Sequence, residues 1–409
     1  MRRREFLQAT GALALARTLA PVGTTGAIAR SRAPGTDPLQ EPTLGPEVFA
    51  RRLERLRLEM EHQERTLVVM EPGTNFQYYT AYNPGRSERL ILLMIPLTGD
   101  PVIVCPSFEV ERLRRSSVVA DLRGWEEQGD PWRLVRAAGD AMKPRRRRGR
   151  VAIEASTRYG MVLRLENALG GYTLHDATDL LEPVRMIKTP EEVALIRRAI
   201  AITEASIAAT FGQLAAGMTE RDVARLLSRE MQTRGASGGG LVQFGPSSAL
   251  PHGGPGGAPL APETVVLIDA GSSVNGYTSD ITRTTWFGST PSDEFRQVFN
   301  LVHDAQTAAM ELARPLLTQC QDLDRAARAR ITAGGFGEFF THRLGHGMGM
   351  DGHEQPYLVE GNERRLEPGM VFTIEPGIYQ LGKFGVRIED DCLVTEDGLE
   401  VMSVRPAKL

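Results

Sequence analysis

Apolar residues recur along this chain with changing periods, and each change marks an element. From Pro46 the spacing is helical: Phe49, Leu53, Leu56 and Met60 share one face, with proline at the first helical position, where its missing N–H is harmless. Short continuous apolar runs follow, TLVVM at 66–70, RLILLMI at 89–95, PVIVC at 101–105 and later VAIEA at 151–155. Such runs read as buried strands, and helix-like stretches separate some of them. The interleaving predicts an α/β domain over 46–185. At Thr189 the pattern restarts, because an N-cap threonine, Pro190 and Glu192 form a capping box ahead of VALIRRAIAITEASIAATFGQL. A second capped helix begins at Thr219 and an amphipathic third covers 294–313. With the strands between and after them, these helices predict a larger second domain over 186–409.

One strand pair carries the wrong residues for packing. LIDAGSSVNGYTSDITRT, residues 267–284, has β-branched runs on both sides of Asn275-Gly276, the pair that best supports a tight primed turn. If those two residues make the turn, Val274 faces Tyr277 and Asp269 faces Thr282. Side chains alternate with period two, so Asp280 shares a face with Thr282, and both aspartates point to the same side. Three further polar residues sit on or beside strand-like runs: His346 in THRLGHGMGMDGHEQP, Glu375 after MVFTI, and Glu389 in GVRIEDD. Each alone reads as an edge carboxylate, a salt-bridged glutamate or a satisfied core histidine. Four carboxylates brought together would repel, two unit charges 4 Å apart costing about 4 kcal/mol at an effective dielectric near 20. If the five residues converge, two divalent cations would balance them. The donor set, mostly oxygen with one imidazole, suits manganese, cobalt, iron or zinc better than calcium.

Composition narrows the class. The 409 residues are 41% hydrophobic and 24% charged, an ordinary globular balance with room for two domains. A net charge of -3 argues against nucleic acid as the main partner. Cys105, Cys320 and Cys392 are far apart and in no metal or redox spacing, so the fold is expected not to depend on disulfides. Beyond the N-terminus, no stretch is both long and apolar enough to span a bilayer. The run KPRRRRGR at 143–150 reads as a solvated loop before a strand rather than a phosphate site. The glycine-rich 235–257 lacks the order of a phosphate cradle and reads as a mobile loop delivering His252.

The first 29 residues form a separate object. A basic start, a mildly apolar stretch and Ala27-Ile28-Ala29 have the layout of an export signal. Arg3-Arg4-Glu5-Phe6-Leu7-Gln8 resembles the twin-arginine signal, with Arg2 where serine or threonine is usual. Cleavage would remove four arginines and one glutamate, taking the net charge from -3 to -6. Residues 30–45 then form a Pro- and Gly-punctuated linker. The resemblance implies a periplasmic or secreted protein that folds, and loads its metal, before export.

The order Asp, Asp, His, Glu, Glu within these segments closely resembles the pita-bread dinuclear metallopeptidases, in particular the proline dipeptidases and aminopeptidase P. MIKTPEEVALIRRA looks like that family's entry to its catalytic domain, and NFQYYTAYNPG at 75–85 its N-terminal domain where YLTG is more usual. The resemblance implies an α/β (α+β) architecture: a C-terminal pita-bread domain with a curved antiparallel sheet inside and helices outside, preceded by a smaller creatinase-like domain. It implies Asp269, Asp280, His346, Glu375 and Glu389 as metal ligands, with Asp280 and Glu389 bridging. His353 and His252 would act on substrate, and Glu375 would also carry protons. Tyr379 and His342 would line the site, and Arg387 would orient a ligand carboxylate. Met348 and Gly352 depart from the branched aliphatics usual around the His353 loop. His62, His175 and His303 are expected in helices or loops without a role.

The implied activity is hydrolysis of Xaa-Pro bonds at a free N-terminus through a hydroxide shared by two divalent ions, manganese first. Substrates would be peptides with proline second, and the protein a homodimer or larger homo-oligomer. A metal-free amidinohydrolase resembling creatinase and a non-catalytic binding module on the same fold are the alternatives, both disfavoured by the complete set of ligand types.

Overall fold

The computed structural model describes residues 44–143, 149–254 and 258–409. The arginine pair, the expected signal over 1–29, nearly all of the 30–45 linker and the centre of the basic run lie outside the described residues.

The N-terminal part runs α1 (Pro46–His62), β1 (Leu67–Met70), α2 (Thr74–Thr80), β2 (Leu92–Pro96), β3 (Val102–Pro106), α3 (Val110–Ser116), β4 (Asp121–Trp125), α4 (Pro131–Met142), β5 (Gly149–Ile153), α5 (Tyr159–Ala168), β6 (Tyr172–Asp176) and α6 (Thr178–Met186). Its strands form one mixed sheet in the order β4-β3-β2-β1-β5-β6. Both faces are buried: Leu67 and Val69 pack in one apolar cluster, Val68 and Met70 in another. That explains the continuous apolar runs, since a strand covered on both sides has no polar face to show. His175 lies on strand β6 rather than in a helix or loop, its ring against Thr173.

The C-terminal part runs α7 (Pro190–Phe211), α8 (Glu220–Thr233), β7 (Ser237–Phe244), β8 (Thr264–Val274), β9 (Tyr277–Thr278), β10 (Ile281–Phe287), α9 (Asp293–Leu312), α10 (Cys320–Ala333), β11 (Gly345–Gly347), β12 (Glu354–Leu358), β13 (Val371–Ile374), β14 (Gly377–Gln380), β15 (Phe384–Arg387), β16 (Asp390–Val394) and β17 (Leu399–Val401). Capping boxes start α7 at Thr189 and α8 at Thr219, where the sequence places them. Strands β10-β8-β7 form one sheet, with β9 on β8, and β12-β11-β13-β16-β17 another, alongside the β14-β15 pair. Helices α7 and α8 cover the first sheet through Ile196, Ile200 and Leu227 against Val266 and Ile268. Helices α9 and α10 cover the second through Phe295, Val302 and Leu323 against Phe372 and Ile374. The three cysteines are buried and free.

The glycine-rich 235–257 differs from expectation. Most of its first half is strand β7, paired with β8 from Ser237↔Ser273 to Phe244↔Val266, and a 3-10 turn follows. Two glycines of β7 serve close approach: a Cβ at Gly240 would lie 2.3 Å from the Asp269 carbonyl oxygen, and at Gly238 2.5 Å from that of Gly271. Glycine is used here because the neighbouring strand leaves no room, not to make the segment flexible.

Two polar clusters tie the parts together. Arg52 of α1 donates to Glu192 of α7 at 2.8 Å and to the Tyr277 hydroxyl at 2.6 Å. Arg185 reaches Asn75, Asp351 and Glu354, while Lys188 donates to Glu354 at 2.7 Å and Thr74 to Asp351 at 2.6 Å.

Candidate metal centre

The hairpin forms in the inferred register. Asn275 and Gly276 take φ of 49° and 85°, as a primed turn requires, Val274 pairs with Tyr277, and Asp269 with Thr282. Asp269 comes from the middle of β8, and Asp280 from just before β10. His346 is the central residue of β11, Glu375 follows the last residue of β13, and Glu389 sits between β15 and β16. The pairings β11–β13 and β13–β16 bring the last three together, and Glu389 accepts the Thr282 hydroxyl at 2.6 Å, which joins them to the hairpin. All five line one cavity of about 560 Å³. His346 Nε2 lies 3.2 Å from Glu375 and 3.8 Å from Asp280.

The electrostatics of this cluster are unfavourable without cations. Burial first, then the charge of Asp269, pushes the Asp280 carboxyl far above its ordinary range. Burial and Asp280 do the same to Glu389. Burial also acts upward on Glu375, but hydrogen bonding and charge from His346 outweigh it and hold that group low. Carboxylates that drive one another toward protonation need positive charge among them. Donor atoms of Asp269, Asp280 and Glu389 lie within 4.8 Å of one another, as do those of His346, Glu375 and Glu389. Two overlapping triads that share Glu389 fit a pair of divalent ions, and their oxygen-rich, single-imidazole chemistry is that of a transition-metal site. A third such triad joins Asp280, His346 and His353, so His353 stands closer to the donors than expected of a residue that meets only substrate.

Around the ligands runs a hydrogen-bonded relay. Arg387 donates to Asp269 at 2.5 Å, to the Thr282 hydroxyl at 3.0 Å and to the Tyr379 hydroxyl at 2.9 Å. Thr282 in turn donates to Glu389. One guanidinium therefore sets the orientation of two carboxylates, the task expected of it. Burial pushes the Tyr379 phenol up to about 12 and keeps it protonated. His342 is held neutral by burial; its Nδ1 lies 2.7 Å from the Arg343 carbonyl and so carries the proton. Its Nε2 then accepts from Tyr379 at 2.8 Å.

His252 lines the cavity from the loop after β7, and His353 from the loop before β12. The His353 ring centroid lies 4.0 Å from that of His346, and burial, then the charge of His346, lowers its pKa. Next to it, Glu354 is gripped by Arg185 of α6 and by Lys188 just ahead of α7, so the loop with unusual Gly352 is anchored from the junction of the two parts.

Sequence reasoning missed three members. Thr282 was visible as the partner of Asp269 in the hairpin register. Asp391, buried and accepting the Asp280 backbone N–H at 3.1 Å, stands two residues beyond Glu389 in a run of acids. Arg343 lines the cavity three residues before His346, with no local pattern to single it out.

Known proteins resemble this chain over most of its length. Residues 194–396 match the description "Metallopeptidase family M24", and residues 52–187 match "Creatinase/Prolidase N-terminal domain". An Xaa-Pro dipeptidase from Lactobacillus helveticus is 35% identical over 358 residues, 86% of this chain and 96% of that protein. The chain belongs to metallopeptidase family M24. Among solved structures, a prolidase from Thermococcus sibiricus superposes with a TM-score of 0.81 at 30% identity, over 88% of this chain and 98% of its own. The dipeptidase PepE from Mycobacterium ulcerans also gives 0.81, at 34% identity, over 90% and 98%. The fold is therefore the M24 pita-bread domain behind a creatinase-like domain. The enzyme is a metallohydrolase of the peptidase class, and its carboxylate clusters are able to hold divalent metal ions. Among the described residues, no helix is long and apolar enough to cross a membrane.

Proposed function

We propose that this chain hydrolyses Xaa-Pro bonds at the free N-terminus of peptides, with two divalent ions, manganese in first place, held by Asp269, Asp280, His346, Glu375 and Glu389. The observation that carries the reading is the convergence of these five groups, from four separate stretches of the chain, on one cavity in a member of the M24 family. A relative named Xaa-Pro dipeptidase, aligned over nearly its whole length, supports the choice of bond.

Bound divalent ions would supply Lewis acidity toward the scissile carbonyl and would make a water molecule more acidic. The protein's own groups do the rest. Glu375, held ionised beside His346, can accept the proton of the attacking water and return it to the leaving proline nitrogen. His353 and His252, both lining the cavity, donate to the carbonyl oxygen and the substrate chain. Arg387 keeps Asp269 fixed, and Tyr379 keeps Arg387 and His342 in register. A bond before proline is a tertiary amide with no N–H, so its recognition rests on the ring and the carbonyl oxygen rather than on a donor from the substrate.

Metal-loaded protein is expected to cleave Ala-Pro, to lose that activity to a chelator and to regain it with Mn2+; the assay is proline release. Absence of cleavage of both Ala-Pro and Ala-Pro-Ala, with two ions per chain confirmed by metal analysis, would move the enzyme to another substrate class. Protein that purifies and works without metal would favour the amidinohydrolase reading.

The export reading is also proposed, from Arg3-Arg4 followed by Phe6-Leu7. Replacing both arginines by lysine is expected to leave uncleaved precursor in the cytoplasm, as read by fractionation. Undiminished export would remove the periplasmic or secreted assignment. A homodimer or larger homo-oligomer is the assembly proposed, with light scattering as its measurement.

A further inference from the structure

Among the described residues, nothing hydrogen-bonds to the imidazole of His353; its ring contact is with His346, the centroids 4.0 Å apart. The side chain is exposed, so its place in the cavity depends on its backbone. Two carboxylates flank that backbone. Asp351 accepts from Thr74 at 2.6 Å and from Arg185 at 2.7 Å, and Glu354, directly after His353, accepts from Lys188 at 2.7 Å and also meets Arg185. The Lys188 and Glu354 side chains are only 2% and 11% exposed. Lys188 is itself rooted beside β13, its N–H donating to the Gly369 carbonyl at 2.8 Å while Ile187 bridges to Met370. The loop 348–353 folds down on the pair: a Cβ at Gly349 would collide with Glu354 Oε1 and lie 3.0 Å from Lys188 Cε. The Gly349 carbonyl then accepts from the Thr278 N–H at 2.8 Å and from the Thr278 hydroxyl at 3.1 Å. One ion pair therefore lies under a loop that leaves β11 just after His346, carries His353 and touches the end of β9, ahead of Asp280.

We infer that Glu354 is a positioning residue: held by Lys188, it fixes the backbone that carries His353 and so aims that imidazole at the scissile carbonyl. This rests on the substrate role given to His353 above and names the group that enforces it. Glu354 is absent from the lining of the metal cavity, so it acts through its neighbour and not on substrate. A buried charge pair suits the task because it tolerates little movement, either partner being left uncompensated when the other withdraws. Small displacements matter here, since misplacing a reacting group by about 1 Å can cost about 100-fold in rate. The same pair accounts for Gly349, where any side chain would lift the loop off the carboxylate.

The deciding variant combines Lys188→Met with Glu354→Gln, which removes both charges together and strands neither, while Arg185 keeps Asp351. Glu354→Gln alone should lower the thermal midpoint by orphaning the Lys188 charge, and the double variant should recover most of that fall. Metal-loaded, the double variant should nevertheless turn over Ala-Pro about 10- to 100-fold more slowly in kcat, with KM little changed and two ions still bound. In a His353→Ala background the same double change should add almost nothing, because a group that acts through another has no effect once the other is gone. Hydrogen exchange of the metal-free protein reads the loop without any activity: the Thr278 and Gly349 amides should exchange faster in the double variant than in the parent. Recovery of both midpoint and kcat by the double variant, or an undiminished further loss in the His353→Ala background, would overturn the inference and leave the Xaa-Pro reading standing. Near-parent kcat for His353→Ala would overturn the role of His353 and the inference with it. A parent enzyme that cleaves no Ala-Pro would sink the Xaa-Pro reading, whereas unchanged exchange at the two amides would sink the inference whatever the activity.

Discussion

Asp280→Asn is expected to abolish turnover, with the metal content of purified protein falling from two ions per chain. Asp280 contributes to two of the three donor triads, one with Asp269 and Glu389 and one with His346 and His353. Its carboxyl is driven up by burial and by Asp269, so in the absence of cations its charge is an electrostatic burden, and among cations it is the reason that they bind. Asparagine keeps the shape and the hairpin but removes that charge, leaving three carboxylates for four positive charges. Loss of a group that only orients a ligand costs about 10- to 100-fold; loss of a shared ligand should exceed that. His252→Ala is the comparison. His252 is exposed at the cavity mouth, and removing one positioned donor costs about 100- to 1000-fold with the metals still bound. The double variant should resemble Asp280→Asn alone, because groups that act as one unit do not add. Metal analysis with proline-release kinetics decides. Near-native turnover by Asp280→Asn with both ions retained would falsify the dinuclear assignment.

Local signals in the sequence translated well where the physics is local. A two-residue turn with positive φ at both positions fixes the register of everything that follows, which is why the pairing of Asp269 with Thr282 could be read from Asn275-Gly276. Capping boxes at Thr189 and Thr219 start their helices for the same reason. Convergence was not legible in the residues themselves. It depends on β11 pairing with β13 and β13 with β16, and on Glu389 meeting Thr282 more than 100 residues away. Only resemblance to a family supplied it. Composition misled over Ser237–Phe244, where glycines that permit close strand approach looked like those that permit motion. Arg343 was invisible because it lines the cavity without any local pattern that marks it.

Arg52→Met is expected to lower stability by about 3–5 kcal/mol, the cost of leaving a buried charge without its partner. Helix α1 was read as amphipathic with an apolar inner face, yet Arg52 lies on that face and is 1% exposed. Its guanidinium stacks 3.9 Å over the Tyr78 ring, donates to the Tyr78 carbonyl at 2.7 Å, and meets Glu192, also 1% exposed, at 2.8 Å. Burial, then the charge of Glu192, keeps the Tyr277 phenol protonated, so it donates to the same carboxylate at 2.7 Å. The other oxygen of Glu192 accepts the Thr189 N–H of the capping box at 2.7 Å. Methionine at 52 would fill most of the volume, but Glu192 would keep its charge with only two neutral donors. Arg52→Met with Glu192→Gln removes the orphan charge and keeps an oxygen for the cap, so it should recover at least half of the loss. Thermal midpoints of the metal-free protein, compared among parent, single and double variants, test this. Because Tyr277 directly follows the Asn275-Gly276 turn, the single variant should also bind metal more weakly than the double one, as the unpaired Glu192 charge beside that phenol strains the hairpin that aims Asp269 and Asp280. A single variant as stable as the parent would show that the pair contributes no net stability, and that the hairpin is held by its strand pairing alone.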